Sequence, residues 1–394
     1  MATIKLKRFT RPQILKHIGR ELLGRFFANF ARDLDSKNIK LPGPELADDE
    51  YFQSLAAVLM SPEGLPDGLN EALFALDEMG NAEGRERLER AAAASGVALE
   101  FAPDSSHAEI ALQAWLAAPG LLARTHNEQR LRRLASFQHA RGHLANTGNA
   151  PFNAPDQAAL AALTAALDSW FAQHHRGQGT TRIEVYPIAG EFWFLVRHGG
   201  TYTRKSKIEK QKTEVLHFRP ERDDVVVYSP EHDEIRINAR TKGERELYCE
   251  KFGLFLRGHG DYFSERQTYT LEPLRTEGAD ALDADGIEGI SRITLREIEV
   301  AWENGPCEVL IRRADDIFQS TAAGGLPEEL IPKGGRLARA GFDFHFADSA
   351  RPRPVQLRPP NILKIGRHAD ARAVDRWLSK RGFRLPTAQL SLKP

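Results

Sequence analysis

The stretch TTRIEVYPIAGEFWFLVRHGG (180–200) decides the fold. Within it the apolar residues alternate. Phe192, Phe194 and Val196 fall on one face, Trp193 and Leu195 on the other, which describes a strand covered on both sides and therefore central in a sheet. Ala189-Gly190 and Gly199-Gly200 supply turns, so 182–188 and 191–198 read as neighbouring antiparallel strands. The same period of two continues at 201–208, 212–219, 224–229 and 234–239, an antiparallel meander followed by a helix at 243–252 that Gly253 is expected to stop. After the acidic segment 275–289, strands resume at 291–302, 307–313, 341–347 and 354–365, with Asn304-Gly305 as a hairpin signal, and a helix follows at 369–381.

N-terminal to this stretch the period is helical. Thr10 and Pro12 open a helix whose stripe runs through Ile14, Leu15, Ile18, Leu22, Leu23, Phe26, Phe27 and Phe30. Further helices are expected at 49–60, 66–79, 82–94, 105–117 and 120–137, with Asp104-Ser105-Ser106 as a start and Gly80 and Gly96 as stops. A Gly/Asn/Pro-rich loop at 142–156 precedes a last helix, 156–175.

The expected fold class is thus α+β: an all-helical N-terminal domain, then an antiparallel β-meander region with two helix-bearing lobes. The expected division is 1–150 helical, 151–178 a connecting helix, 179–274 a first lobe and 275–394 a second. Segments 235–256 and 363–385 share a plan of strand, polar turn, amphipathic helix, glycine and apolar exit. An ancient duplication would explain the likeness; the commonness of that plan is the competing reading.

At 394 residues the chain exceeds the roughly 250–300 at which single cores stop growing. The formal net charge is zero, which argues against a surface built wholly for nucleic acid or acidic membranes. Cys249 and Cys307 are the only cysteines and stand far apart, so neither a disulfide framework nor a zinc-finger site is expected. No signal peptide and no long apolar run is evident, and the expected location is the cytoplasm. The use of Ala, Arg, Leu and Gly suits a GC-rich bacterial genome.

The phosphate loop, zinc-protease helix, nucleophile elbow, kinase set and dinucleotide turn are all missing. No cofactor is expected. Weaker constellations remain. Glu231-His232-Asp233-Glu234 groups metal-ligand types, though it lies at a hairpin tip after Pro230, where a solvated turn is the better explanation. Asp343 and His345 share one strand face opposite Phe342, Phe344 and Phe346, as a carboxylate orienting a general base would, or as a plain polar edge. His217 and Glu221 carry a similar ambiguity. Glu234-Ile235-Arg236 has Arg where a nuclease E-x-K motif has Lys. Cys249 reads as a small core residue.

Charge is uneven along the chain. Residues 41–128 are acidic, while 201–214 carries Arg204, Lys205, Lys207, Lys210 and Lys212 on a hairpin. A basic β-ribbon of this kind can track a phosphate backbone, and it can equally protect a sheet edge. The last stretch adds Arg336, Arg339, Arg351, Arg353, Arg358, Arg367, Arg372, Arg376, Arg381 and Arg384, whose forks suit phosphate and carboxylate. The expected function is a non-enzymatic nucleic-acid-binding accessory or regulatory protein of a bacterial multi-protein system, such as phage or plasmid defence. The ribbon with Arg351, Arg353, Arg358 and Arg367 would contact nucleic acid, and the helical half would bind a protein partner or a second copy. One alternative is a protein-interaction scaffold for an acidic partner. The other is a metal-dependent nuclease or hydrolase using Asp343 and His345.

Overall fold

In the computed structural model the chain forms two compact units, Met1–Arg130 and Leu131–Pro394. The structure describes residues 6–61, 64–99, 101–102, 104–142, 155–209, 211–302, 308–323, 332, 334–366 and 370–386.

The first unit is helical: α1 (Pro12–Ile18), α2 (Arg20–Ala28), α3 (Ala31–Ser36), α4 (Asp48–Leu59), α5 (Asp67–Met79), α6 (Ala82–Ser95), α7 (His107–Ala117) and most of α8 (Pro119–Arg132). Its core gathers Phe26, Phe27, Leu55, Leu59, Leu73 and Leu76, with Trp115 packed edge-on to Phe26 at 4.9 Å. Each such burial contributes about 1.5–3 kcal/mol, so the apolar stripe rather than helix propensity holds these short helices. The stripe is split into separate helices because Gly19 takes φ 84, a left-handed value open to glycine. Arg11, not Thr10, is the N-cap of α1; the Thr10 hydroxyl donates instead to the Leu6 carbonyl. The later signals act as expected. Ser106 caps α7 through the Glu109 amide, and Gly80 and Gly96 end α5 and α6.

The second unit is built on one antiparallel sheet. Its strands are β1 (Ser136–Gly142), β2 (Arg182–Ile188), β3 (Glu191–Gly199), β6 (Glu221–Ser229), β7 (Glu234–Asn238), β8 (Phe263–Ser264), β9 (Ile290–Trp302), β10 (Glu308–Arg313), β11 (Arg336–Phe346), β12 (Arg353–Arg358) and β13 (Ile362–Ile365). The order is β10-β9-β11-β12-β13-β1-β7-β6-β3-β2, with β8 beside β1. Strands β4 (Thr203–Glu209) and β5 (Lys212–Phe218) form a separate two-stranded ribbon between β3 and β6. The α+β class and the meander are as expected from the sequence.

Each half of the sheet carries its helix. In one, β2-β3-β6-β7 is followed by α10 (Lys242–Arg257), and α9 (Gln157–Gln173) packs beside it over Phe194, Val196, Val226, Ile235 and Ile237. In the other, which also carries the short helices α11 (Glu272–Thr276) and α12 (Ile317–Ala322), β9-β11-β12-β13 is followed by α13 (Ala371–Lys380), whose Val374, Trp377 and Leu378 pack with Phe342, Leu357 and Leu363. β7 and β13 flank β1 on its two sides, both antiparallel to it. Leu363 sits opposite Phe137 on β1, while Ile237 sits opposite the next residue, Gln138, so α13 and α10 cover opposite faces of the sheet. Segments 235–256 and 363–385 therefore occupy equivalent places, the last strand and the helix of each half. Trp193 and Leu195 lie in a further cluster on the face away from α10, so β3 is covered on both sides.

Three expectations need correction. The helix expected over 120–137 ends at Arg132, and Ser136–Gly142 is the strand that joins the two halves. Its alternation is hidden because one face carries Phe137, His139 and Arg141 and the other only Gln138, Ala140 and Gly142. The strand expected over 354–365 is two, separated by Pro359-Pro360-Asn361, because proline cannot donate to a ladder. Gly253 does not stop α10, which runs on to Arg257 and ends at Gly258 with φ 81. Gly253 is there for close approach: a Cβ would lie 2.6 Å from the His259 carbonyl oxygen. The expected Asn304-Gly305 turn lies outside the described residues.

Candidate functional site

Two clusters of ionisable side chains stand out in the second unit, on opposite faces of the sheet. The first lies beneath the N-terminus of α10. His198 near the end of β3, Asp224 near the start of β6 and Glu244 in the first turn of α10 are all buried, and their ligand-type atoms lie within 4.8 Å of one another. His198 Nε2 is 3.1 Å from Asp224 Oδ2, and its Nδ1 faces the Gly199 carbonyl at 2.9 Å. The Phe171 ring stacks on the imidazole, centroids 3.9 Å apart. The Tyr248 hydroxyl donates to Asp224 at 2.7 Å; burial, then the Asp224 charge, push its pKa well up, so it stays a donor. Glu244 closes a capping box with Thr241, and its other oxygen is 3.3 Å from Arg176 Nη2. Arg176 is only partly buried, so the three ligand groups sit one side chain below the surface.

The loop 174–181 that carries Arg176 has left-handed residues at His175, Gly177 and Gly179 and is pinned by Asp168, which accepts from the amides of Gly179, Thr180 and Thr181. Arg219, at the root of the β4–β5 ribbon, donates to the carbonyls of His175 and Gly200. The ribbon thus leaves the sheet at the end where the three groups meet.

The second cluster lines a cavity of about 510 Å³ on the face of α13. Glu234 is its hub. One carboxylate oxygen is 2.7 Å from Arg384 Nη2 and the other 3.2 Å from His139 Nδ1. Burial pushes the Glu234 carboxyl up, but Arg384, then His139 and Arg236, outweigh it and hold it well below the usual range. Arg384 also meets Asp375 at 2.7 Å, and Asp375 meets His232 Nε2 at 3.1 Å. The hydrogen bond to Asp375 raises the pKa of His232 against burial. Burial lowers that of His139, and the Tyr269 hydroxyl lies 3.3 Å from its Nε2. Arg236 pairs with Glu191. Arg141, on β1 opposite Glu234, is 3% exposed, and its Nη1 makes no hydrogen bond among the described residues.

The residues singled out from the sequence fall in several places. His232 and Glu234 of the hairpin-tip group turn into the cavity with Glu231, while Asp233 is taken by Arg257 and by the hydroxyls of Tyr228 and Tyr262. Asp343 lies against Arg296, Nε at 3.3 Å, and neither it nor His345 joins either cluster. His217 stacks beside Tyr202, and Glu221 pairs with Arg182. Burial pushes the Cys249 thiol up to about 12, so it is held as a neutral core group. Arg204, Lys205 and Lys212 are exposed on the ribbon, and Lys207 pairs with Glu214 at 2.9 Å.

The C-terminal arginines divide: Arg372, Arg376 and Arg384 line the cavity, and those expected to contact nucleic acid lie apart from one another. Arg351 is exposed, Arg353 is held by Asp348 and Asp370, and Arg358 is 4.0 Å from Glu299. Lys210 and Arg367 lie outside the described residues, as does Cys307. His198, Asp224, Glu244, His139 and Asp375 carried no signal of chemistry in the sequence. Only the T-x-x-E spacing of the capping box marked Glu244, and it marked a helix start. Among the described residues no helix is long and apolar enough to cross a membrane. No protein-family model and no curated protein matches the chain.

Proposed function

We propose that the chain is a metal-dependent hydrolase of phosphodiesters, with a divalent cation held by His198, Asp224 and Glu244 and the β4–β5 ribbon tracking a nucleic-acid backbone. The observation that carries this reading is an imidazole and two carboxylates within 4.8 Å of one another, at the sheet end from which the basic ribbon departs. One nitrogen and several oxygen donors suit a hard or borderline divalent ion. When bound, such an ion would lower the pKa of a water at the site and so supply a hydroxide nucleophile for phosphorus, with the ester oxygen as leaving group. Arg176 shields Glu244 in this conformation and must swing aside, after which its guanidinium is free for a phosphate oxygen.

Calorimetry with Mn²⁺, paired with cleavage of bis-p-nitrophenyl phosphate and of labelled single-stranded DNA, tests the reading. Saturable Mn²⁺ binding is expected, lost in His198→Gln and Glu244→Gln. It should tighten at least threefold in Arg176→Ala, a gain that misfolding cannot produce. No Mn²⁺ binding by either the native chain or Arg176→Ala refutes the metal; binding without cleavage of either substrate refutes the hydrolase.

Nucleic-acid binding without chemistry is the second reading, favoured by the exposure of Arg204, Lys205 and Lys212. It predicts salt-dependent DNA affinity that falls in Lys205→Glu/Lys212→Glu and is indifferent to chelators. Each lost phosphate contact should reduce the log–log salt slope by about 0.9 on duplex DNA and about 0.7 on a single strand.

A further inference from the structure

We propose a second ligand site, independent of the hydrolase reading: the cavity on the α13 face binds a small phosphate monoester, in the size range of a mononucleotide. The cavity lies across the sheet from His198, since Glu234 and Arg236 alternate with Ile235 and Ile237, which face α10. Its walls hold five arginines against four carboxylates. Three of those acids already have partners: Glu234 is bridged by Arg384 and His139, Asp375 by Arg384 and His232, and Glu191 by Arg236.

Of the remaining charged groups in the wall, Glu231, Arg372 and Arg376 are exposed, two cations against one acid. Arg372 and Arg376 stand one turn apart on the exposed side of α13. Arg372 donates only to the Ala189 carbonyl, and Arg376 has no hydrogen bond or ion pair among the described residues. Beneath the cavity, Arg141 on β1 lies opposite Glu234, almost wholly buried with Nη1 unpartnered among the described residues, so Glu234 faces the buried guanidiniums of both Arg141 and Arg384. Guanidiniums outnumber carboxylates in the cavity wall, and Glu234 is shared among several of them, so an anion in the cavity offsets the excess positive charge. Planar guanidinium forks match phosphate oxygens in pairs, which favours phosphate over a halide. At about 510 Å³ the space is in the range of small-molecule sites and larger than a phosphate group needs. Leu363, Ile365 and Ala371 give it an apolar wall for the remainder of the ligand.

The test is calorimetry of the full chain with inorganic phosphate, ribose 5-phosphate and AMP. One-to-one binding of ribose 5-phosphate or AMP is expected, at least tenfold tighter than phosphate. It should weaken at least tenfold in Arg372→Ala/Arg376→Ala, whose changes lie on an exposed helix face and leave the fold intact by circular dichroism. It should be unchanged in Lys205→Glu/Lys212→Glu on the ribbon. No saturable binding of any probe, phosphate binding as tightly as the esters, or affinity unaffected by the double substitution overturns the proposal.

Discussion

Replacing Glu234 by Gln tests the electrostatic account of the cavity most directly. The amide has nearly the shape of the carboxylate, so no void is created and the effect is one of charge. In the native chain this carboxylate is fully buried and sits 2.7 Å from Arg384 and 3.2 Å from His139, with Arg141 and Arg236 close by. Removing one partner of a buried ion pair leaves the other uncompensated and typically costs about 3–5 kcal/mol. Here up to three guanidiniums lose their shared counter-charge, so the loss belongs at the upper end of that range.

The control is Glu246→Gln on the outer face of α10, whose pair with Lys242 is largely exposed on both sides. An exposed helical pair of that kind is worth about 0.3–0.5 kcal/mol. Urea unfolding followed by tryptophan fluorescence reads both, since Trp193 and Trp377 are buried in the second unit. A loss below about 1 kcal/mol for Glu234→Gln, or one no larger than the control, would show that the guanidiniums are solvated or paired otherwise, and the buried-cluster argument would fail.

Two further outcomes follow from single contacts. The Asp375 hydrogen bond raises the pKa of His232, so that pair stabilises the fold fully below the unfolded-state value of about 6.5 and ceases to as pH rises through the higher folded value. The stability difference between the native chain and His232→Asn should accordingly be larger at pH 6 than at pH 9, and an equal or reversed difference contradicts the pairing. Gly253→Ala places a methyl group against the His259 carbonyl and should cost about 1–3 kcal/mol in urea unfolding. Gly243→Ala meets only the Trp170 ring at 3.5 Å and should be tolerated; equal behaviour of the two would remove the close-approach explanation.

The sequence alone determined the α+β class, the switch from helical to alternating period near Gly179, and most strands and helix ends. Those features depend on residues within one or two turns of each other, and periodicity and capping report such neighbours directly. The centre of the sheet was decided by tertiary structure. β1 has only Gln138, Ala140 and Gly142 on one face, and it becomes a strand because β7 and β13 offer it two hydrogen-bonding edges. The candidate sites were decided in the same way. Glu234 and Arg384 are 150 residues apart, and Asp224 meets His198 across a strand pair and Tyr248 across a sheet–helix contact. Nothing local distinguishes such residues from solvated surface groups. Burial gives them partners and shifts their charges, and burial is a property of the folded chain.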